Sequence, residues 1–421
     1  MSTVPEEGAD IDSHPPIRIN GQELRAPKDW VKGTHRAMDP ALTLERIRPH
    51  LPKAGITRIA DITGLDDLGI PVVVATRPGS GTLAVEAGKG ATLHAAAASA
   101  AMEAIERFVA EECDVRDVRA TVGAMRGRLP CPPEAFSRLK NGRLVEGWEL
   151  NWTRASNLFT GEDVLVPEHL VSLEGDVLSL FSAPWGASSN GLASGNHVPE
   201  ALCAALYECI ERDATSCWSV AHNNGVTRPM IDLSSITGEV IGNLIEQVRR
   251  ADAEVALFWC PTEIGIPTVT AYMWSNHGGM GVYSGYGCHL DTEIAMVRAL
   301  TEAAQARTIY FAGARDDMLR GSFEAMRRSD VASPDSLLAN SRAISIDDIP
   351  DRATGTFHGD VAVLLDGLAA SGFDRVYARE LELGREFEVA VVRVVTPGLE
   401  PYRFPWIAVT ERAKSFVPPT F

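Results

Sequence analysis

The chain lacks any CxxC pair and any His/Cys cluster of zinc-ligand spacing. Its seven cysteines, Cys113, Cys131, Cys203, Cys209, Cys217, Cys260 and Cys288, are odd in number and scattered. That usage argues against a disulfide framework or a zinc module and fits a reducing, cytoplasmic compartment. A secretory signal is also missing, because the start has neither a basic n-region nor an apolar h-region. No stretch approaches ~18 uninterrupted apolar residues, so no membrane span is expected. There is no basic excess either. A formal net charge of −17 denies the chain the cationic face that general nucleic-acid binding demands, although a local basic pocket could still hold a small anion. The remaining composition, 45% hydrophobic and 23% charged, is ordinary for a soluble globular enzyme.

What the sequence does contain is a repeated turn and helix. In SNGLASGNHVPEALCAALYECIERD, residues 189 to 213, Gly191 and Gly195 interrupt regular structure, and Pro199 with Glu200 suits a first helical turn. The helix is then almost wholly apolar until Glu208, Glu211 and Arg212. Residues three or four apart are helix neighbours, so Glu208 and Glu211 can present two carboxylates to one point. GKGATLHAAAASAAMEAIERF, residues 88 to 108, repeats the arrangement with Glu103, Glu106 and Arg107. GCHLDTEIAMVRALTEAAQAR, residues 287 to 307, echoes it with Glu302, Gln305 and, one place late, Arg307. Moving an arginine by one residue turns it about 100° around the helix, so Arg307 is expected to meet a different part of any ligand.

A single ExxER turn reads as an exposed, weakly stabilising ion pair. Four carboxylates on two apolar helices do not, because they repel one another and resist burial. A divalent cation is the natural partner, and oxygen-only ligands favour Mg2+ or Ca2+ over zinc. Arg107, Arg212, Arg307 and Arg315 would then be available for phosphate, which the guanidinium fork matches. Metal and arginines together point to a nucleotide.

These motifs, SNG…GN…EA…E..ER with GKG…S…E..ER before and RALTEAAQAR…GARDD after, resemble the YcaO family of ATP-using peptide-modifying enzymes. The likeness runs from about residue 30 to about 415 and is strongest to the stand-alone, TfuA-associated branch, through GTHRAMDPALTLERIRP, GITRIADITGLDDLGIPV and VVRVVTPGLEPYR. The resemblance implies an α+β fold in which repeated strand-turn-helix units contribute three motif helices to one ATP site. It implies metal ligation by Glu103, Glu106, Glu208 and Glu211. Contacts to the nucleotide would come from Arg36, Thr43, Ser99, Asn196, Glu200, Arg212, Gln305 and Arg307. Arg212, Arg307 and Arg315 would carry catalytic charge neutralisation, with ATP and Mg2+ as cofactors.

The activity so implied is ATP-dependent activation of a backbone amide in a ribosomally made peptide. Cyclodehydration to an azoline or amidine ring stands first, and thioamidation with external sulfide and a TfuA-like partner second. A leader-binding partner and a homodimer are further expectations, and a non-catalytic peptide-binding accessory is the reading from another class. The ending KSFVPPTF lacks the PxPxP tail of many azoline-forming relatives, which leaves the general base unassigned.

Taken in order, residues 1 to 28 read as a polar arm and residues 29 to 421 as one domain. Asp39 and Pro40 start a helix, residues 70 to 78 form a buried strand, and residues 148 to 171 form a strand pair turning at Gly161. Trp148 and Trp152 are core aromatics before they are a substrate groove. His289 reads as a satisfied structural histidine. The charge-dense segment 313 to 336 reads as a surface excursion from which Arg315, Asp316 and Asp317 stand out.

Overall fold

The computed structural model describes residues 14–137, 139–174, 184–186, 188–277, 281–313, 315, 321, 334–401 and 407–419. Asp316, Asp317 and most of the 313–336 excursion lie outside the described residues. The described strands form four sheets. β1 (Ile17–Ile19) and β2 (Gln22–Leu24) make a hairpin, and β3 (Arg58–Asp61), β4 (Val72–Thr76) and β5 (Val85–Lys89) make an antiparallel sheet. A six-stranded sheet contains β6 (Val118–Thr121), β7 (Glu149–Asn157), β8 (Asp163–Pro167) and β9 (Leu192–Gly195), completed by β15 (Tyr377–Glu380) and β16 (Ala390–Val395). A five-stranded sheet runs β13 (Val282–Cys288), β12 (Thr268–Ser275), β11 (Ala253–Trp259), β10 (Arg228–Ile231) and β14 (Ser341–Ile344).

Three of these strands, β5, β9 and β13, each lie at one edge of a different sheet, and each leads through a short turn into a long helix. Helices α1 (Pro40–Ile47), α2 (Leu93–Glu112), α3 (Val122–Met125), α4 (Val198–Asn223), α5 (Glu239–Arg250) and α6 (Thr292–Ala312) follow in chain order. The long ones, α2, α4 and α6, are capped by the side chains of Thr92, His197 and Asp291, which accept from backbone N–H groups of the first turn. Each folds back over its own strand at a spacing only glycine tolerates. A Cβ on Gly88 would lie 2.1 Å from the Ala100 nitrogen, and one on Gly287 2.1 Å from the Ala295 oxygen. Alanine on the facing helix turns completes the fit, which accounts for the alanine-rich composition of α2 and α6.

Each long helix runs through its own hydrophobic cluster. Leu202, Leu206 and Ile210 of α4 are fully buried, each contributing about 1.5–3 kcal/mol relative to exposure. That apolar stripe anchors the helix against the cost of the carboxylates it carries. The three units also interlock in a ring: α2 touches β9, α4 touches β13, and α6 touches β5.

Most sequence expectations for local structure hold. Asp39 caps α1, β4 is a buried strand, and β7 pairs with β8 across Gly161 at φ 74°. Trp152 is buried in the core and Trp148 is exposed. The polar-arm reading of residues 1 to 28 needs correction over its described part. Alternation in Ile17-Arg18-Ile19 builds a strand whose isoleucines, with Ala26, are buried in the cluster around α4. Among the described residues no helix is long and apolar enough to cross a membrane.

Candidate active site

The ring of units gathers the repeated carboxylates into one half-buried recess. Helix α2 brings Glu103 and Glu106, α4 brings Glu208 and Glu211, and α6 brings Glu302 and Gln305. Burial pushes the Glu106 carboxyl well above its ordinary range, and the charges of Glu103 and Glu208 push it further. Glu208 is raised to about 7, again mainly by burial, with Arg212 opposing and Glu211 and Glu103 adding to it. Glu211 is raised by burial and by Glu302, against the pull of Arg212 and Arg298. On the β5 strand behind them, Glu86 reaches about 9 through burial and Glu103, although Arg107 Nε lies 2.8 Å away. In all four the cost of burial comes first, and neighbouring carboxylates add to it.

Each second position on a motif helix is also tied to the next unit's strand. Ser194 Oγ donates to Glu106 Oε2 at 3.0 Å, and the Cys288 backbone N–H donates to Glu211 Oε2 at 3.0 Å. In the third unit the direction reverses, and Gln305 Nε2 donates to the Ala87 carbonyl. This explains the break in the repeat, since a carboxylate has no proton to give a carbonyl. Gln305→Glu is accordingly expected to cost about 1–3 kcal/mol in urea unfolding, the range for an unpaired buried acceptor. Glu106→Gln and Glu211→Gln retain an oxygen that accepts and should not show this loss.

Arg212 lies 3.8 Å from Glu208 and 3.5 Å from Glu211, with its guanidinium 5.9 Å from the Tyr286 ring centroid. Arg315 is near enough to Glu86 and Arg107 to affect the charge state of both. Ser99 stands one turn before Glu103 on α2. A second group forms beside the recess. Thr43 Oγ1 donates to Asn196 Oδ1 at 2.9 Å, and Asn196 N and Nδ2 donate to Glu200 Oε2 at 3.0 and 2.9 Å. Arg36 Nε lies 3.6 Å from Glu200 Oε1. Arg36, Thr43, Asn196 and Glu200 are thus brought together, although they come from two distant segments. Arg307 is placed elsewhere. Its Nε contacts both oxygens of Asp66 at 3.1 Å and its Nη2 contacts Asp67 at 2.7 Å, with Arg307 and the Asp66 carboxylate buried and Asp67 exposed. The one-residue shift has carried it off the carboxylate face.

Sequence reasoning overlooked Arg298, Lys89, Arg393 and Arg46. Arg298 stands one turn before Glu302, with Nη2 3.9 Å from Glu211. Lys89, the middle residue of GKG, pairs with Glu302 at 2.7 Å. Arg393 interrupts the apolar run of β16, and that interruption was a legible signal. Arg46 Nη2 donates to Asn196 Oδ1 at 2.5 Å. Arg298 Nε, Arg393 Nη1 and Arg46 Nε are buried nitrogens without a hydrogen-bond partner. Crowded, buried carboxylates beside guanidinium nitrogens that lack a hydrogen-bond partner make a donor set suited to a cation and an anion bound together.

A separate cluster of His35, His289 and Asp360 has ligand atoms all within 4.8 Å of one another. Its cation is the ammonium of Lys28, 2.7 Å from Asp360 Oδ2 and 3.1 Å from His35 Nδ1. Burial, with Lys28 and Arg36, lowers His35 to about 3, so its neutral ring can accept from Lys28. His289 Nδ1 accepts from the Asp291 N–H at 2.9 Å and its ring packs on Tyr207, in keeping with a structural role.

A family model described as YcaO cyclodehydratase, ATP- and Mg2+-binding, matches residues 87–400, from the first motif strand to beyond the last sheet strand. The chain belongs to the YcaO family. An uncharacterized protein of Methanothermobacter thermautotrophicus is 35% identical over 409 residues, covering 91% of this chain and 99% of that one. An uncharacterized protein in the tfuA 3' region of Rhizobium leguminosarum bv. trifolii is 34% identical over 397 residues, covering 90% and 92%. Among solved structures, the YcaO protein of Methanopyrus kandleri bound with AMPPCP and Mg2+ aligns with a TM-score of 0.70 and 26% identity, over 89% of this chain and 95% of that one. A heterocyclase in complex with substrate and cofactor shares the fold at a TM-score of 0.76 and 22% identity. That alignment covers 90% of this chain but only 54% of the heterocyclase. The α+β fold inferred from the motifs is thus the YcaO fold.

Proposed function

We propose that this YcaO protein uses ATP and Mg2+ to activate a backbone amide of a ribosomally made peptide. The observation that carries the reading is the ring of motif helices, which concentrates buried, mutually repelling carboxylates beside arginines with nitrogens that lack hydrogen-bond partners. In this reading Glu103, Glu106, Glu208 and Glu211 hold Mg2+, and Arg212 and Arg298 face the phosphates. Arg36, Thr43, Ser99, Asn196, Glu200 and Gln305 surround the nucleotide, and Arg315 adds positive charge at the Glu86 side. Bound ATP supplies the phosphoryl group that makes an amide oxygen a leaving group. The chain's own part is to position the reactants and neutralise charge. The carboxylates fix the cations, and the guanidinium groups are already oriented by Glu208, Glu211 and Glu200 before any ligand arrives.

Of the products open to an activated amide, cyclodehydration to an azoline or amidine is assigned first, in line with the description of the family model. Thioamidation is the second reading, favoured by the relative in the tfuA 3' region and calling for sulfide and a TfuA-like partner. Mass spectrometry of peptides encoded beside the gene, incubated with protein, ATP and Mg2+, separates the two. Cyclisation removes one water without added sulfide, whereas thioamidation exchanges oxygen for sulfur only when sulfide is present. An exchange of oxygen for sulfur with no loss of water would overturn cyclisation. Unmodified peptides in both arms, with no phosphate released, would speak for a non-catalytic accessory. The homodimer remains a proposal, to be read from the mass in solution.

A further inference from the structure

The three strand-helix units come into register on their N-caps. Thr92, His197 and Asp291 each precede a glutamate, Glu103, Glu208 and Glu302, by the same eleven residues. Three residues before each cap stand Lys89, Ser194 and Cys288. In every unit this strand position meets the helix of the preceding unit in the ring. Ser194 Oγ donates to Glu106, the Cys288 N–H donates to Glu211, and Lys89 Nζ lies 2.7 Å from Glu302 Oε2.

The equivalent positions differ in what they deliver. A hydroxyl and an amide orient a carboxylate but do not neutralise it, whereas an ammonium does. The third unit also carries the neutral Gln305 where the others carry a second glutamate. Two units thus present a pair of carboxylates, and the third presents one carboxylate that is already paired with an ammonium.

We propose that Lys89 is the built-in counterion of the third unit, so that the recess takes divalent cations at the Glu103/Glu106 and Glu208/Glu211 pairs and is barred from taking one at Glu302. The inference rests on the metal reading above and extends it to stoichiometry. The ammonium on Glu302 Oε2 offsets the charge of that carboxylate, and with Gln305 in place of a second glutamate the unit cannot offer a dication the carboxylate pair that the other two units present. Lys89 therefore keeps a pseudo-symmetric ring from binding a pseudo-symmetric set of ions.

The test is a Mn2+ titration of the full-length protein in saturating AMPPCP, with bound ions counted by electron paramagnetic resonance. Lys89→Met is expected to bind one more Mn2+ per chain than the unaltered protein. Lys89→Arg should keep the unaltered count, and Lys89→Met with Glu302→Gln should return to it. An unchanged count in Lys89→Met, or an extra ion that persists in the double variant, overturns the proposal. Glu302→Gln alone guards against misfolding of the lysine variant. It should retain every ion, and loss of one would make Glu302 a ligand and sink the idea. Failure of the underlying metal reading looks different, because the unaltered protein would then bind no Mn2+, or Glu208→Gln would lose none.

Discussion

Glu208→Gln and Glu211→Gln are each expected to abolish Mg2+-dependent ATP turnover while leaving the fold at least as stable as before. The two effects have opposite signs because the carboxylates are useful to a cation and costly without one. Loss of a preorganised charged ligand typically lowers turnover on the order of 10²–10³-fold. Stability should move the other way. Burial holds the Glu208 carboxyl at about 7 against an ordinary 4.5. A carboxyl raised on folding destabilises the native state when it is ionised, so its cost is absent below about pH 4.5, grows through the interval and is complete above about 7. Removing the charge should relieve up to about 3 kcal/mol in metal-free buffer at high pH, and little below pH 4.5. Urea unfolding at two pH values with phosphate release from ATP reads both effects. Variants that hydrolyse ATP at the normal rate would remove these residues from the metal site. Variants that lose activity and stability together would show the carboxylates to be structural.

Much of this site was legible in the chain because its signals are local. The interval from turn to first glutamate, the alanine-rich helix faces and the turn glycines all lie within about twenty residues, and they identified the three helices that converge. Non-local pairings left no such mark. β9 lies beside β16, with Leu192 opposite Arg393, and β10 runs parallel to β14, with Arg228 opposite Ser341. Neither strand names its partner in its own sequence. The partners of Gln305 and Lys89 were hidden for a related reason, since each becomes intelligible only beside the strand or helix of another unit. The resemblance supplied Arg36 and Thr43, which the spacing of the motif helices could not have reached, since they join Asn196 and Glu200 across some 150 residues of chain.

Arg307 is where likeness to the family and the geometry of this chain differ most, and its replacement is expected to act on stability before nucleotide binding. The guanidinium is almost completely buried, spans Asp66 and Asp67, and lies 5.6 Å from the Phe311 ring centroid. Asp66 is buried as well, and burial raises its carboxyl to about 6 even with Arg307 in contact. Arg307→Met leaves that carboxylate without its cation, a change expected to cost about 3–5 kcal/mol. The loss should be largest well above pH 6, where Asp66 is ionised beside Arg307, and should fade as the pH falls below about 6, where the group is protonated in both proteins. Arg307→Lys should recover only part, because one ammonium cannot bridge both aspartates as the fork does. Combining Arg307→Met with Asp66→Asn should restore more than either residue alone predicts, since the stranded charge is gone. Urea unfolding gives these energies, and calorimetric titration with AMPPCP on the folded fraction gives affinity, which should stay within a few-fold of normal. A normal unfolding energy with a collapsed affinity would instead place Arg307 on phosphate. The pair with Asp66 and Asp67 would then be a resting contact that the nucleotide breaks.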